Sequence, residues 1–528
     1  MQAHRIPYRD THRFGRIVLD LLADAEEIGE FRAYPHTLEG LTASANARSF
    51  DPAQRQVLCE VLRRQHADPD PHPAVRSNLE ALADPRALTV ATGHQLCLFG
   101  GPLYVAFKII NTVRLARDLS AALDRPVVPV FWMASEDHDR AEIDHVTIGG
   151  RHVQWPGEAG GAVGVMKLTG VAAVVEEAIA ALGSSSHAGP IVEMLRAAYR
   201  PERTLAQATR HFLHAVFGRF GVVIVDGDDP ALKQLFAPLM REELLNQVAF
   251  RAVTYANDKL GERYGAQAHV REINLFHLRP GHRSRIELRD DRYQVLDGGP
   301  ALTLDELLAA LENDPQVFSP NVLMRPIYQE HILPNVATIG GGGELAYWLQ
   351  LRWLFQALRV PMPAVLLRSS AAFVAAKQLR QWHDMELTIG DLFRPEAEVH
   401  RQVVERGASD VIGVEQERAT LRAMYDGLAA RATTVDPTLR GLVEGRAAEA
   451  VKGLDRIAEG MLRAVKRRES TTIERITRTH AQLFPGGEPQ ERVESFIKLI
   501  ADQGDEVLDL LLDRLDPLDP RFTVFEVA

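Results

Sequence analysis

The chain is poor in cysteine: Cys59 and Cys97 are the two in 528 residues. Two thiols build neither a disulfide framework nor a four-thiolate zinc site, and a reducing compartment such as the cytoplasm suits them. Positive charge is also in short supply. Lys and Arg number 60 against 71 Asp and Glu, a formal net charge of −11. That balance argues against a surface that coats nucleic-acid phosphates or an anionic membrane. Long hydrophobic runs are missing. Stretches such as VVPVFWMAS are too short to span a bilayer, and the opening MQAHRIPYRD lacks the apolar core of a signal peptide. Several catalytic signatures are absent too. No Gly-Lys dipeptide occurs, so there is no Walker A loop, and neither G-x-S-x-G nor H-E-x-x-H is found. The run Gly340–Gly343 fails to complete G-x-G-x-x-G because Leu345 holds the last position.

What remains is ordinary globular material, 46% hydrophobic and 25% charged, enough for about three or four structural units. The first eighty residues read as a mostly helical lead-in. ALTVAT (87–92) is a short β-prone run, and VVPVFWMAS (127–135) reads as a strand buried on both faces. Between them Pro102 opens a helix whose Leu103, Phe107, Ile110 and Val113 recur at spacings of three and four. Strand, loop, helix and strand make the βαβ unit of a parallel sheet. GVVIVD (221–226) and MPAVLL (362–367) supply further core strands, and Asp229 before Pro230 caps a helix. The Gly-rich stretch after 149 reads as a hairpin leading into helices near 170–218, and 265–300 reads as a second β-rich insertion. From about 372 helix formers dominate. Val451, Leu454, Ala458, Met461 and Val465 follow a 3-4-3-4 rhythm, and no proline falls between Pro437 and Pro485. That pattern predicts a coiled coil, as a helical hairpin or dimer arm, reaching roughly 70 Å if unbroken. FTVFEV at the end alternates like a strand.

Three clusters carry candidate chemistry. Gly93, His94 and Gln95, followed by Gly100, Gly101 and Pro102, lie between the first strand and its helix. Ligands bind at the carboxyl ends of parallel strands, and a helix start offers free amides to an anion. Glu136, Asp137, His138 and Asp139, with Glu142 and His145 beyond, follow the second strand. Four ionisable residues after a buried strand are costly unless solvent, a metal or a substrate partners them. Asn321, Arg325, Gln329 and Asn335 then lead to Gly341, Gly342, Gly343 and a helix opening at Glu344, a second anion or nucleotide cradle.

In order and spacing, GHQ-x4-GGPLY, PVFWMASEDHD-x3-I-x-H, SPNVLMRP and LPNVATIGGGGELAYW resemble the bacillithiol biosynthesis cysteine-adding enzymes. The match spans roughly residues 80–370 and extends to the helical region after them. The resemblance implies an α/β fold: a Rossmann-like parallel-sheet core, two connecting-peptide insertions and an α-helical coiled-coil domain that pairs two chains. Its implied boundaries are 1–150, 219–264 and 316–375 for the core, 151–218 and 265–315 for the insertions, 376–500 for the coiled coil, and 501–528 for a segment packing back on the core. The implied reaction joins L-cysteine to the amino group of glucosaminyl malate. ATP, with Mg2+, is the implied driver, and no structural zinc is expected. In that frame His94, Asp137 and His138 are the catalytic candidates. Gln95, Tyr104, Glu136, Asp139, Asn321, Arg325 and Gln329 would bind substrate. Gly93, Gly100, Gly101, Gly341, Gly342, Gly343 and Glu344 would bind nucleotide. Arg368, in Leu-Arg-Ser-Ser, stands where a class I ligase would carry a lysine-rich loop. The rival expectations are a nucleotide-responsive coiled-coil scaffold and an amide ligase with another amine acceptor.

Overall fold

A computed structural model describes residues 1–158, 160–261, 263–265, 267–406, 413–468 and 470–527, without the side chains of 465, 466 and 468. Among the described residues, fifteen strands follow in chain order: β1 Gln2–Pro7, β2 Leu88–His94, β3 Val127–Met133, β4 His145–Ile148, β5 Arg151–Gln154, β6 Val223–Asp226, β7 Leu275–Arg279, β8 His282–Arg289, β9 Arg292–Val295, β10 Ala301–Leu302, β11 Phe318–Pro320, β12 Asn335–Gly340, β13 Ala364–Leu367, β14 Ala371–Ala375 and β15 Arg521–Val527.

The core sheet has the order β13-β12-β2-β3-β6, and every neighbouring pair is parallel. Its expected strands are all present. β2 and β3 are joined by the helix Leu103–Leu123, whose apolar positions are buried as their spacing predicts. β12 is the strand that periodicity did not reveal. It is short and opens with Asn335, yet it lies between β13 and β2 and is buried throughout. The buried amide of Asn335 explains how: Nδ2 donates to Glu330 Oε1 at 2.7 Å, and Oδ1 lies 3.2 Å from the Thr89 hydroxyl. The pairing offsets the cost of a polar group in the sheet.

The first insertion is the β4–β5 hairpin followed by the helices Val171–Leu182, Ala188–Ala198 and Leu205–Phe217; its hairpin starts at His145, ahead of the expected boundary. The second is an antiparallel sheet of order β10-β9-β8-β7-β11. Asp229 caps the helix Pro230–Asn246, accepting from Ala231 N–H at 2.9 Å. The C-terminal strand β15 packs back on the core, antiparallel to β1 and parallel to β14.

The helical region forms a hairpin. The helices Glu415–Val435 and Leu439–Arg468 lie side by side, tied by Arg418 and Asp455 at 2.6 Å. Val451, Leu454, Ala458 and Met461 are half-buried along the seam; the Val465 side chain lies outside the described residues. A further helix, Ser470–Leu483, leads back to the core through the short helix Gln490–Val493.

Candidate functional site

A cavity of about 740 Å³ opens across the carboxyl edge of the core sheet. Four strand ends build its floor: Gly93–Gln95 at the end of β2, Ala134–His138 after β3, Gly341–Glu344 after β12, and Arg368 after β13. The second insertion supplies a wall through Arg271, Phe276, Arg283 and Arg285, and Asn321 and Arg325 add another.

His94 is held 3.1 Å from the Tyr104 hydroxyl and 3.6 Å from Cys97 Sγ. Burial, assisted by the Lys108 ammonium, pushes its imidazole down to about 3. It is therefore neutral at physiological pH and can offer a hydrogen bond but no charge. Burial also pushes the Cys97 thiol up to about 12, so it is an unactivated packing group. Lys108, on the helix Leu103–Leu123, donates to Gly93 O at 3.0 Å and pairs with Glu344. Burial lowers its ammonium; Glu344 works the other way. Glu344 accepts from Gly341 N–H at 2.8 Å, so it caps a helix that begins two residues earlier than expected, at Gly342.

The acidic cluster divides in two. Glu136 turns inward, 2.8 Å from Lys233 Nζ, which also meets Asp228 at 2.7 Å. Burial alone would lower the Lys233 ammonium, but those two carboxylates hold it above its ordinary value. Asp137 faces the cavity and accepts from Gln95 at 2.8 Å. Burial would raise its carboxyl, but hydrogen bonds from His138 and Gln95 outweigh that and hold it well below the usual range. A carboxylate held that low is a fixed negative charge, suited to an ammonium or hydroxyls, and no proton carrier near neutrality. His138 sits at the rim, 3.0 Å from Arg283 Nη1. Arg283 lies over the Phe276 ring, 3.9 Å from its centroid.

Of the expected residues, Gly93, His94, Gln95, Tyr104, Glu136, Asp137, His138, Asn321, Arg325, Gly341, Gly342, Gly343 and Glu344 line this cavity. Four do not. Gly100 and Gly101 are packing glycines at positive φ. A Cβ on Gly100 would stand 2.6 Å from Phe496 Cζ, and one on Gly101 2.9 Å from Cys97 Cβ. The helix start behind them is closed to an anion, because Leu103 N–H donates to Glu494 O at 2.8 Å. Asp139 is exposed and is not part of the cavity lining. Gln329 is buried behind Arg325, accepting from its Nη1 at 3.0 Å. Asn321 caps the helix Met324–Ile332 through Leu323 and Met324 N–H. Motif reading missed Lys108, Lys233 and Arg283. The signal for the two lysines was a lone cation among apolar helix residues; Arg283 stands in the charged strand HRSRIELR, where nothing sets it apart. Among the described residues no group of three or more His, Cys, Asp or Glu is placed to hold a metal ion, and no helix is long and apolar enough to cross a membrane.

A parallel sheet with a cation-rich, carboxylate-bearing cleft over its carboxyl edge and a helical-hairpin appendage defines a Rossmann-like, two-part protein. The chain belongs to the bacillithiol biosynthesis BshC family: the model of its N-terminal Rossmann-like domain matches residues 1–369, and that of its C-terminal coiled-coil domain residues 371–527. It is 34% identical to "Putative cysteine ligase BshC" of Flavobacterium johnsoniae, over 99% of both chains. The relatives of the same name in Cytophaga hutchinsonii and Salinibacter ruber are 34% and 32% identical, covering 97% and 96% of this chain and 97% and 95% of their own.

Proposed function

We propose that this chain is a cytoplasmic ligase joining the carboxyl group of L-cysteine to the amino group of glucosaminyl malate, driven by ATP. The observation that carries this reading is the cavity's division of charge. The carboxylates of Asp137 and Glu136 line the same cavity as the arginines at 283, 285 and 325, with Arg283 3.8 Å from Asp137 and Glu136 held by Lys233. Substrates bearing both an ammonium and carboxylates call for such a pairing. The cysteine-ligase name of the relatives points the same way.

The residues divide as follows. Asp137 and Glu136 hold the ammonium or sugar hydroxyls. Arg325, braced by Gln329, faces the malyl carboxylates, where its planar fork allows bidentate pairing. Neutral His94 donates a hydrogen bond to developing negative charge. Gly341–Gly343 and Arg368 suit the phosphates of ATP, since backbone without Cβ atoms allows close approach. Bound ATP supplies the leaving group that a carboxylate oxygen lacks. With no group of three or more His, Cys, Asp or Glu placed to hold an ion among the described residues, the site would receive Mg2+ on the nucleotide.

The assay is direct. Purified protein with ATP, cysteine and glucosaminyl malate should release AMP or ADP together with bacillithiol. Silence would favour the scaffold reading, and turnover with a different amine alone would favour another acceptor. His94→Ala and Asp137→Ala should each lose at least tenfold in rate; parental rates would overturn the site assignment.

The arm is proposed to pair two chains. Leu442 and Ile457 are 59% and 58% exposed on it, apolar surface that a second arm would cover. Light scattering on the full chain should give twice the chain mass, and Leu442→Asp with Ile457→Asp should halve it.

A further inference from the structure

The helical arm returns to the core through residues 488–495, and this return reaches the cavity. Glu491 is 4% exposed, and both its carboxylate oxygens are engaged. Oε1 accepts from Arg368 Nη2 at 2.8 Å, and Oε2 from Ala371 N–H at 3.0 Å. Arg368 Nη1 donates to Ser369 O and to the Ser370 hydroxyl, each at 3.0 Å. The fork is thus pinned along one edge. Its Nε–H has no partner among the described residues, although Arg368 is only 5% exposed. A buried donor without an acceptor is costly and calls for an explanation.

That Nε lies 3.9 Å from where a Cβ on Gly341 would stand. The eight-residue helix Gly342–Leu349 begins there, and its first amides have no intrahelical acceptors. The Lys108 ammonium enters the same corner paired with the Glu344 carboxylate, whose Oε2 lies 3.6 Å from that Cβ position and accepts from Gly341 N–H.

We infer that this corner is a subsite for one oxyanion group, a carboxylate or a phosphoryl group, with Arg368 Nε touching the ligand and Glu491 positioning Arg368 from the root of the arm. The inference rests on the cavity being the substrate site, as proposed above. It makes the base of the arm part of the binding apparatus, since any shift of residues 490–492 moves the guanidinium.

The test is binding, read by calorimetry on the full chain with ATP, glucosaminyl malate and L-cysteine in separate titrations. Glu491→Gln keeps shape and removes charge; Arg368→Lys keeps charge and removes the planar Nε donor. Both should weaken one of the three ligands at least tenfold and leave the other two within twofold. The ligand that weakens names the source of the oxyanion. Unchanged affinities in folded variants would overturn the inference, and so would equal loss across all three, the mark of general loosening. Should Glu491→Gln fail to fold, Arg368→Lys carries the same test. A ligand-specific loss in a protein that makes no bacillithiol would sink the proposed reaction and leave the subsite standing. Normal turnover without any loss would do the reverse.

Discussion

Charge is handled in opposite ways around the cavity and along the arm. At the cavity it is buried and interlocked: Lys233 lies between Glu136 and Asp228, and Arg368 is locked to Glu491. Along the arm, pairs such as Arg440–Glu444 and Arg446–Glu449 stand one helical turn apart with more than half of each side chain exposed. The helix Glu415–Val435 buries no residue at all. Exposed pairs contribute about 0–1 kcal/mol, whereas removing one partner of a buried pair costs about 3–5 kcal/mol. Buried pairs are also no better for stability than well-packed apolar residues. The cavity's ion pairs therefore suit a binding site more than a fold, and the arm's suit the solvation of a long helix.

The sharpest way to break this contrast is Lys233→Met. It leaves Glu136 and Asp228 without their shared cation, so a loss of about 3–5 kcal/mol is expected in denaturant unfolding, together with most of the activity. Next comes Gly100→Ala. The added methyl meets Phe496 at a φ of +81°, which should cost about 2–4 kcal/mol. Ligand affinities of the folded fraction should hold, because Gly100 packs away from the cavity. Third is Glu330, a carboxyl that burial pushes up to about 7 against the opposing pull of Arg48. The folded state holds this proton more tightly than the unfolded chain does. Its stabilising effect is complete below about pH 4.5 and is lost as the pH rises through about 7. The parent should accordingly lose about 1–3 kcal/mol more than Glu330→Gln between pH 5 and 8, as read from unfolding curves at both pH values. The smallest effect belongs to the arm: Arg440→Ala should change stability by less than about 0.5 kcal/mol. A loss of 2 kcal/mol or more there would erase the contrast.

Much of the core was legible because burial on both faces leaves continuous apolar runs. β2, β3, β6 and β13 announce themselves this way, and so does the helix Leu103–Leu123. β12 did not, since its Asn335 reads as a turn residue until Glu330 and Thr89 are known to satisfy it. The acidic cluster after β3 was visible because four ionisable residues at a strand end are conspicuous. Lys108 and Lys233 were not, because each is a single cation among apolar neighbours, and the partners Glu344 and Glu136 lie far away in sequence. Gly100 and Gly343 look alike in sequence. One avoids Phe496, and the other has open space where a Cβ would go.

The pairing of β15 with β1 has a topological consequence. Gln2 lies opposite Glu526, so the polypeptide forms a nearly closed circuit, with the helical arm as an excursion from it. Residues 1–369 and 371–527 are successive stretches of that circuit rather than separable halves. A chain joined by a short linker between Gln2 and Glu526 and reopened at the turn after Val435 should keep the core sheet, the cavity and the Arg368–Glu491 lock. Splitting the unjoined chain at residue 370 into two separate pieces would instead strip β1 of its partner and the cavity of Glu491.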